Sequence, residues 1–181
     1  MVASGDSFVV GVDIGGTFTD AVAVAPDGEL CIGKVLTTPP DFSEGFFAAI
    51  AAAAAARPSH PRVFYELGDT PDLYGPSDDF FGVELIRLAG GIPITTGDPV
   101  SFTMPLERLV AADPEVIVLG DAAYGTTADA VAHRSGWEGL TAVRTGAIRP
   151  VDDTIVTRPG PRLADGLAAL ARAIDPGLQL P

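Results

Sequence analysis

A twenty-residue stretch, residues 106–125, constrains the fold more than any other part of the chain. It begins with an amphipathic segment that Asp113 and Pro114 terminate. It continues with the apolar run Val-Ile-Val-Leu at residues 116–119 and ends in a glycine-containing loop. A short helix, a buried strand and a loop at the strand's carboxyl end make one unit of a layered α/β lobe. We therefore predict that residues 58–181 form a small three-layer α/β lobe.

The rest of this second part supplies further elements of the same kind. Ser77 can cap a helix over residues 78–89, which Gly90 and Gly91 would end. Trp137 is predicted to lie in the core. The remaining predicted elements are strands over residues 62–67, 140–143 and 148–151, a helix over residues 128–133 and a last helix from about residue 161.

The first part of the chain, residues 1–57, follows a different pattern. Three β-rich runs separated by glycine-containing turns predict a three-stranded meander. Asp41, with Glu44 three residues on, can cap a helix that continues through an alanine run. Arg57 and Pro58 end that run, so we place a domain boundary there, between residues 1–57 and 58–181.

Charge and composition exclude several classes of function. The formal net charge of −13 argues against nucleic acid or an anionic membrane surface as a partner. Cys31 is the only cysteine, which excludes an internal disulfide and a cysteine-based metal cluster. No metal site is predicted, because the pair Asp152 and Asp153 is more typical of a solvated turn. The start of the chain lacks a basic secretory signal, so we expect a cytoplasmic location for the chain as it stands.

A glycine-rich turn between the first two predicted strands carries the first family resemblance. Because it joins strand to strand, it matches neither the Walker nor the Rossmann pattern. It is either a plain hairpin turn or one whose amides approach phosphate oxygens. Residues 11–20 and 34–41 together resemble the amino-terminal start of the hydantoinase/oxoprolinase family, ATP-dependent enzymes with an actin-like core. The resemblance, which covers about residues 7–56, implies a phosphate loop for magnesium-ATP formed by Asp13, Gly15, Gly16 and Thr17.

This first part lacks most of what such an enzyme needs. The family's second phosphate loop and second lobe have no counterpart in the remaining residues. Phosphoryl chemistry requires a site that closes on the nucleotide and excludes water. We therefore interpret the first part as a family fragment that binds nucleotide weakly and catalyses nothing.

The second part resembles another family. Residues 84–91, 106–119, 136–137 and 158–163 together resemble the carboxyl-terminal lobe of ABC-importer solute-binding proteins, in the subgroup for cobalamin, haem and ferric siderophores. The resemblance covers about residues 62–176. Such proteins trap a ligand between two lobes, and no amino lobe or connecting helix is found before Arg62. Half of a clamp buries less of its ligand, so we expect reduced affinity.

The second resemblance implies roles for single residues. Glu107 corresponds to the surface glutamate that arginines of the membrane permease receive, although an acid is also favoured in any first helical turn. The implied cleft residues lie on the loops that follow strands: Tyr74, Ser101, Phe102, Tyr124 and Arg158. Tyr124 could stack on a flat macrocycle or cap a core edge. Arg158 could hold a ligand anion or be an idle surface residue, and some relatives carry an aromatic where Ser101 stands, which weakens the case for cobalamin itself.

The two resemblances together predict a joined chain. We expect a non-catalytic lobe that binds a corrinoid, haem or ferric siderophore, with an ABC permease as partner. The family's location is periplasmic or extracellular. The alternatives are an ATP-binding, hydantoinase-type enzyme fragment and a chain with no retained activity. Because each part lacks its partner lobe, we also expect the two parts to dock on each other or the chain to form a homodimer.

Overall fold

The computed structural model describes the backbone of residues 9–14, 18–24 and 30–36, and residues 51, 59–157 and 162–178 in full. The glycine-threonine turn at residues 15–17 and Arg158 lie outside the described residues, as does all but residue 51 of the helix predicted to begin at Asp41. Among the helices that are described, none is long and apolar enough to cross a bilayer.

The first part contains an antiparallel sheet of three strands. They are β1 (Val9–Ile14), β2 (Phe18–Val24) and β3 (Leu30–Leu36), paired in that order. In this register Asp13 lies opposite Asp20, which in turn lies opposite Lys34. The backbone of Asp13 is therefore at the end of β1 that leads into the predicted phosphate loop.

The second part contains a parallel sheet of four strands. They are β4 (Arg62–Glu66), β5 (Ile92–Ile94), β6 (Val116–Leu119) and β7 (Ile148–Pro150), in the spatial order β5-β4-β6-β7. Every neighbouring pair is parallel. Because parallel strands all end at the same edge, the loops that follow them meet on one side of the lobe.

Helices cover both faces of this sheet. They are α1 (Phe81–Leu88), α2 (Leu106–Ala112), α3 (Ala128–Ala132), α4 (Thr141–Thr145), α5 (Asp153–Val156) and α6 (Leu163–Ile174), with a 3₁₀ helix at Gly120–Tyr124. Val63 and Tyr65 pack towards α1 and α6, whereas Phe64 packs towards α2 and the segment that holds Trp137. This alternation produces two cores, one on each face of the sheet. The predicted α/β class is confirmed, and so is the burial of Trp137 at 4% exposure.

The strand predicted over residues 140–143 is wrong, because residues 141–145 form helix α4. Asp113, which ends α2 with a φ of 44°, accepts hydrogen bonds from both the backbone N–H and the hydroxyl of Thr141, at 2.7 and 2.8 Å. The carboxylate thus occupies the role of an N-cap for α4, although it is 28 residues away in sequence. This contact overrides the β propensity of the run.

The start of α1 also differs from the prediction. The helix begins at Phe81 rather than Asp78, and Ser77 does not cap it with its side chain. The backbone N–H of Asp78 donates instead to the carbonyl of Asp98, at 2.9 Å. Residues 78–79 are therefore held by the loop after β5, a three-residue strand that was not predicted.

Candidate functional site

Four loops follow the carboxyl ends of the parallel strands. They comprise residues 67–80, 95–105, 120–127 and 151–157, and we call the surface they form the carboxyl edge. Ligands of open α/β sheets bind at this edge, because the loops there vary freely while the strands hold them in place. Four of the predicted cleft residues, Tyr74, Ser101, Phe102 and Tyr124, lie on these loops.

The structure brings three of the predicted cleft residues together. Tyr74 forms an antiparallel bridge with Thr103, and the carbonyl of Phe102 accepts a hydrogen bond from Gly75 at 2.9 Å. The backbone of Ser101 is fixed in turn by Asp98, whose carboxylate accepts its N–H at 2.7 Å. Phe102 is 39% exposed and meets the ring of Phe80 edge-on, with 5.7 Å between the ring centroids.

Tyr124 lies on a separate loop, at the end of the 3₁₀ helix that follows β6. Its side chain is 80% exposed, so it does not cap the edge of the core. Of the two interpretations of this tyrosine, only an aromatic surface available for stacking agrees with its exposure.

A buried ion pair at the carboxyl end of β4 was not predicted. Glu66 is fully buried, and the guanidinium of Arg134 donates to both its carboxylate oxygens, at 2.6 and 2.7 Å. The same guanidinium donates to Asp69 at 2.8 Å and lies 4.8 Å from the ring centroid of Trp137. Asp69, Arg134 and Trp137 contribute to the wall of a cavity of about 350 Å³.

Burial and charge shift the pKa values in this network. Burial raises the pKa of Glu66, against the hydrogen bonds and the charge of Arg134. Burial alone would lower the pKa of Arg134, but the bonds to Glu66 and its charge outweigh that effect and raise it. The pair thus consists of a carboxylate in an unfavourable site and a guanidinium that holds it ionised.

Two further polar contacts lie near the carboxyl end of β6, one between Tyr65 and Asp153 and one between Asp121 and Thr126. The hydroxyl of Tyr65 donates to Asp153 at 2.9 Å, and burial together with the Asp153 carboxylate raises its pKa well above the usual range. Asp121 is 4% exposed, and one carboxylate oxygen, Oδ2, accepts from the Thr126 hydroxyl at 2.6 Å. The other oxygen, Oδ1, is buried with no hydrogen-bond donor in the described part of the chain.

The remaining predicted site residues have separate locations. Glu107 is exposed in the first turn of α2, beside a cavity of about 580 Å³ between that helix and β5. Asp152 accepts a hydrogen bond from the Thr154 N–H and caps α5. In residues 59–157 and 162–178 no group of three or more His, Cys, Asp or Glu side chains could hold a metal ion. Gly15, Gly16, Thr17 and Arg158 lie outside the described residues, and of Asp13 only the backbone is described.

Sequence comparison identifies relatives for both parts of the chain. Residues 9–65 match the family described as hydantoinase/oxoprolinase N-terminal region. An ABC transporter substrate-binding lipoprotein of Bacillus subtilis is 32% identical over 125 residues, which are 69% of this chain and 39% of that protein. A cobalamin-binding protein of Halobacterium salinarum is 32% identical over 134 residues, 68% of this chain and 36% of that protein. The chain thus spans well under half the length of these two relatives.

Solved structures share the fold at lower identity. The periplasmic heme-binding protein RhuT from Roseiflexus superposes with a TM-score of 0.63 at 23% identity, over 75% of this chain and 53% of that one. The periplasmic vitamin B12 binding protein BtuF of Vibrio cholerae gives a TM-score of 0.60 at 20% identity, over 74% and 51%. Sequence and fold thus both relate the chain to solute-binding proteins. A sequence match alone relates its first part to the hydantoinase N-terminal region. Both relations agree with the predicted two-part chain.

Proposed function

Because it shares sequence and fold with the substrate-binding proteins of ABC transporters, we propose that the chain carries a non-catalytic ligand-binding lobe of that kind. Its ligand is a metal chelate of the cobalamin, haem or ferric siderophore type, because its relatives include a cobalamin-binding protein, a heme-binding protein and a protein of an Fe3+-hydroxamate transport system from Saccharomonospora viridis. We also propose a periplasmic or extracellular location, which the relation to a substrate-binding lipoprotein and to periplasmic binding proteins supports, and the cytoplasmic location expected for the chain as it stands stays a prediction.

The observation that carries the proposal is the exposure of two aromatic rings on separate loops of the carboxyl edge. Two of its four loops present exposed rings, Tyr124 at 80% and Phe102 at 39% exposure. Exposed aromatic rings on a rigid sheet offer flat apolar area to a macrocycle at little cost in conformational entropy. Neither ring is needed to complete a core, so both are available to a ligand.

The test is a titration of the purified chain with cyanocobalamin, hemin and ferrichrome, followed by amide proton-nitrogen correlation spectra. We expect one of the three to shift the amides of residues 120–127, and Tyr124→Ala to weaken its binding by about tenfold, since loss of one stacked ring costs about 1–2 kcal/mol. Ile92→Ala is the matched control. Ile92 is also exposed, at 52%, but it begins β5 and so lies at the opposite edge of the sheet.

Two results would contradict this proposal. No shift with any of the three chelates would exclude a binding lobe of this type. An equal loss of affinity in Tyr124→Ala and Ile92→Ala would show that the ligand does not bind at the carboxyl edge. Arg158→Ala completes the series and is expected to weaken binding only if an anionic group of the ligand meets it.

Glu107 carries the proposal for a partner. Its exposure in the first turn of α2 allows an arginine of a membrane permease to pair with it. We expect Glu107→Lys to abolish association with the cognate permease in proteoliposomes while chelate affinity stays unchanged. Retained association would exclude this residue as the docking site.

A second candidate function rests on the match of residues 9–65 to the hydantoinase N-terminal region. In this alternative Asp13, Gly15, Gly16 and Thr17 bind magnesium-ATP weakly, and Asp13→Ala abolishes that binding. ATP binding that survives the substitution would exclude the loop as the site. A homodimer also stays a prediction, and sedimentation of the chain as a monomer at high concentration would contradict it.

A further inference from the structure

Negative charge is concentrated on the carboxyl edge. Residues 67–80 contain four carboxylates, residues 95–105 and 120–127 one each, and residues 151–157 two, and Glu66 immediately precedes the first of these loops. The four loops contain no lysine, arginine or histidine, and Arg158, which follows the last of them, lies outside the described residues. The fold favours the ionised form of one of these carboxylates, because the N–H groups of Ser101 and Val100 lower the pKa of Asp98.

In the described part of the chain, three guanidinium groups from outside these loops donate hydrogen bonds to them, and all three are already engaged. Arg134 is held by Glu66 and Asp69. Arg108, on α2, donates to the carbonyl of Thr95 at 2.7 Å. Arg162, which precedes α6, donates to the hydroxyl of Thr154 at 3.4 Å, and Arg149 and Arg172 line a cavity together with Asp152. Arg62 lies at the opposite edge, at the start of β4, where it contacts Asp113 and Glu115. The described part of the edge therefore has an excess of negative charge that its own cations do not balance.

Asp121 supplies a second and independent indication. Its oxygen Oδ1 is buried with no hydrogen-bond donor in the described part of the chain. The negative charge of this residue raises the pKa values of Glu66 and Tyr65, so Asp121 lies within the same network. A buried acceptor without a donor costs about 1–3 kcal/mol, and a donor brought by a ligand, directly or through one water, would recover part of that cost.

We propose that the carboxyl edge selects against chelates that carry carboxylates and favours uncharged or cationic chelates whose periphery bears amide or other hydrogen-bond donors. This inference rests on the proposed function, since it concerns the ligand of the same edge. Charge and donors act together here, because each amide that replaces a carboxylate removes a repulsion and adds a donor. Amide-bearing corrinoids meet both conditions, whereas the two propionates of haem meet neither.

The experiment compares cyanocobalamin with its monocarboxylic acids, in which one peripheral propionamide is hydrolysed to a propionate. The two ligands have the same shape and differ by one charge and one donor. By isothermal titration we expect the acids to bind about tenfold or more weakly at low salt, since one new charge meets several fixed ones at close range. Raising NaCl from about 0.05 M to about 0.5 M shortens the screening length and should reduce the difference to about threefold. Hemin should bind more weakly than either.

Two charge variants test whether the affinity difference between cyanocobalamin and its acids arises at the carboxyl edge. Asp72→Asn, on the exposed loop after β4, should reduce this difference. Glu138→Gln, on an exposed loop between α3 and α4, should leave it unchanged. Equal affinity for amide and acid, or tighter binding of hemin or of an anionic siderophore than of cyanocobalamin, would overturn the charge preference while leaving the binding lobe intact. Absence of binding by all of these chelates would overturn both proposals.

Discussion

Removal of the Arg134 guanidinium should destabilise the lobe in a pH-dependent way. In Arg134→Ala the fully buried carboxylate of Glu66 loses the two hydrogen bonds that hold it ionised. It can then remain charged without a partner or take up a proton. The unpaired carboxylate can cost the folded state no more than the free energy needed to protonate it. At pH 7 this ceiling is about 3.7 kcal/mol, since an unfolded glutamate titrates near pH 4.3 and each pH unit corresponds to about 1.4 kcal/mol. At pH 5 the ceiling falls to about 1 kcal/mol.

The expected difference from the wild type lies below that ceiling. Because the pKa of Glu66 is already raised in the wild type, part of the cost is present there too. We expect Arg134→Ala to lower the free energy of unfolding by about 2–3 kcal/mol at pH 7 and by about 1 kcal/mol at pH 5, with the lost contact to Trp137 included. The sign follows from the direction of the shift. A carboxyl whose pKa is raised by folding stabilises fully below its unfolded pKa and loses that contribution as pH rises through the folded pKa.

The assay is urea unfolding followed by the fluorescence of Trp137, the only tryptophan of the chain, which is buried beside Arg134. Because Trp137 lies in the second part of the chain, this probe reports the unfolding of the lobe. Arg87→Ala is the control, because the Arg87–Glu84 pair is exposed and should contribute little. A loss that is the same at pH 5 and pH 7 would refute the reasoning. So would a pH dependence that persists when Glu66→Gln is added to Arg134→Ala.

Two further predictions concern packing and capping. Gly120→Ala should cost about 1–3 kcal/mol, because the new Cβ would lie 2.5 Å from the ring of Tyr65, whereas Gly139→Ala, with no atom near its Cβ, should be nearly neutral in the same urea assay. Asp113→Gly keeps a residue suited to the φ of 44° but removes the acceptor for Thr141, at a cost of about 1 kcal/mol at pH 7. Since these hydrogen bonds lower the pKa of Asp113, its contribution to stability is present above the unfolded pKa and is lost as pH falls through the folded pKa, so the difference between variant and wild type should shrink as the pH falls below about 4. A constant difference over that range would contradict this.

The elements that sequence predicted correctly are those determined locally. The apolar run of β6 is buried on both faces, and the preceding helix α2 ends at Asp113, where a proline follows. Helix α6 and the end of α1 were also predicted from local sequence, the first from its apolar periodicity and the second from the glycine that follows it. These elements were enough to establish the α/β class.

The elements that sequence missed depend on contacts between distant residues. The run at 140–143 has strand-like composition, and only the carboxylate of Asp113 turns it into the start of a helix. β5 has three residues, one of them Pro93, too few for a periodic signal.

The candidate site divides in the same way. The order of elements places the loops that follow the strands, whereas the choice of Tyr124 as a cleft residue rested on the family resemblance and stays a prediction. The pair of Glu66 and Arg134 could not be inferred from sequence, because 68 residues separate them. One signal was available, a glutamate within the apolar run of residues 62–67, since a charge in a buried strand requires a partner.

The strand order β5-β4-β6-β7 has a consequence for synthesis on the ribosome. β4 is the first strand of its sheet to emerge, yet its long-range partner β6 begins 53 residues after the paired Val63, at Val116. Until then Val63 and Phe64 have only the short β5 to pair with and Tyr65 has no partner strand, although all three are almost fully buried in the folded lobe. Non-local parallel pairing of this kind is slow and leaves apolar surface exposed during elongation. The nascent chain should therefore be a substrate for chaperones that bind apolar segments, from the appearance of β4 until β6 has left the exit tunnel.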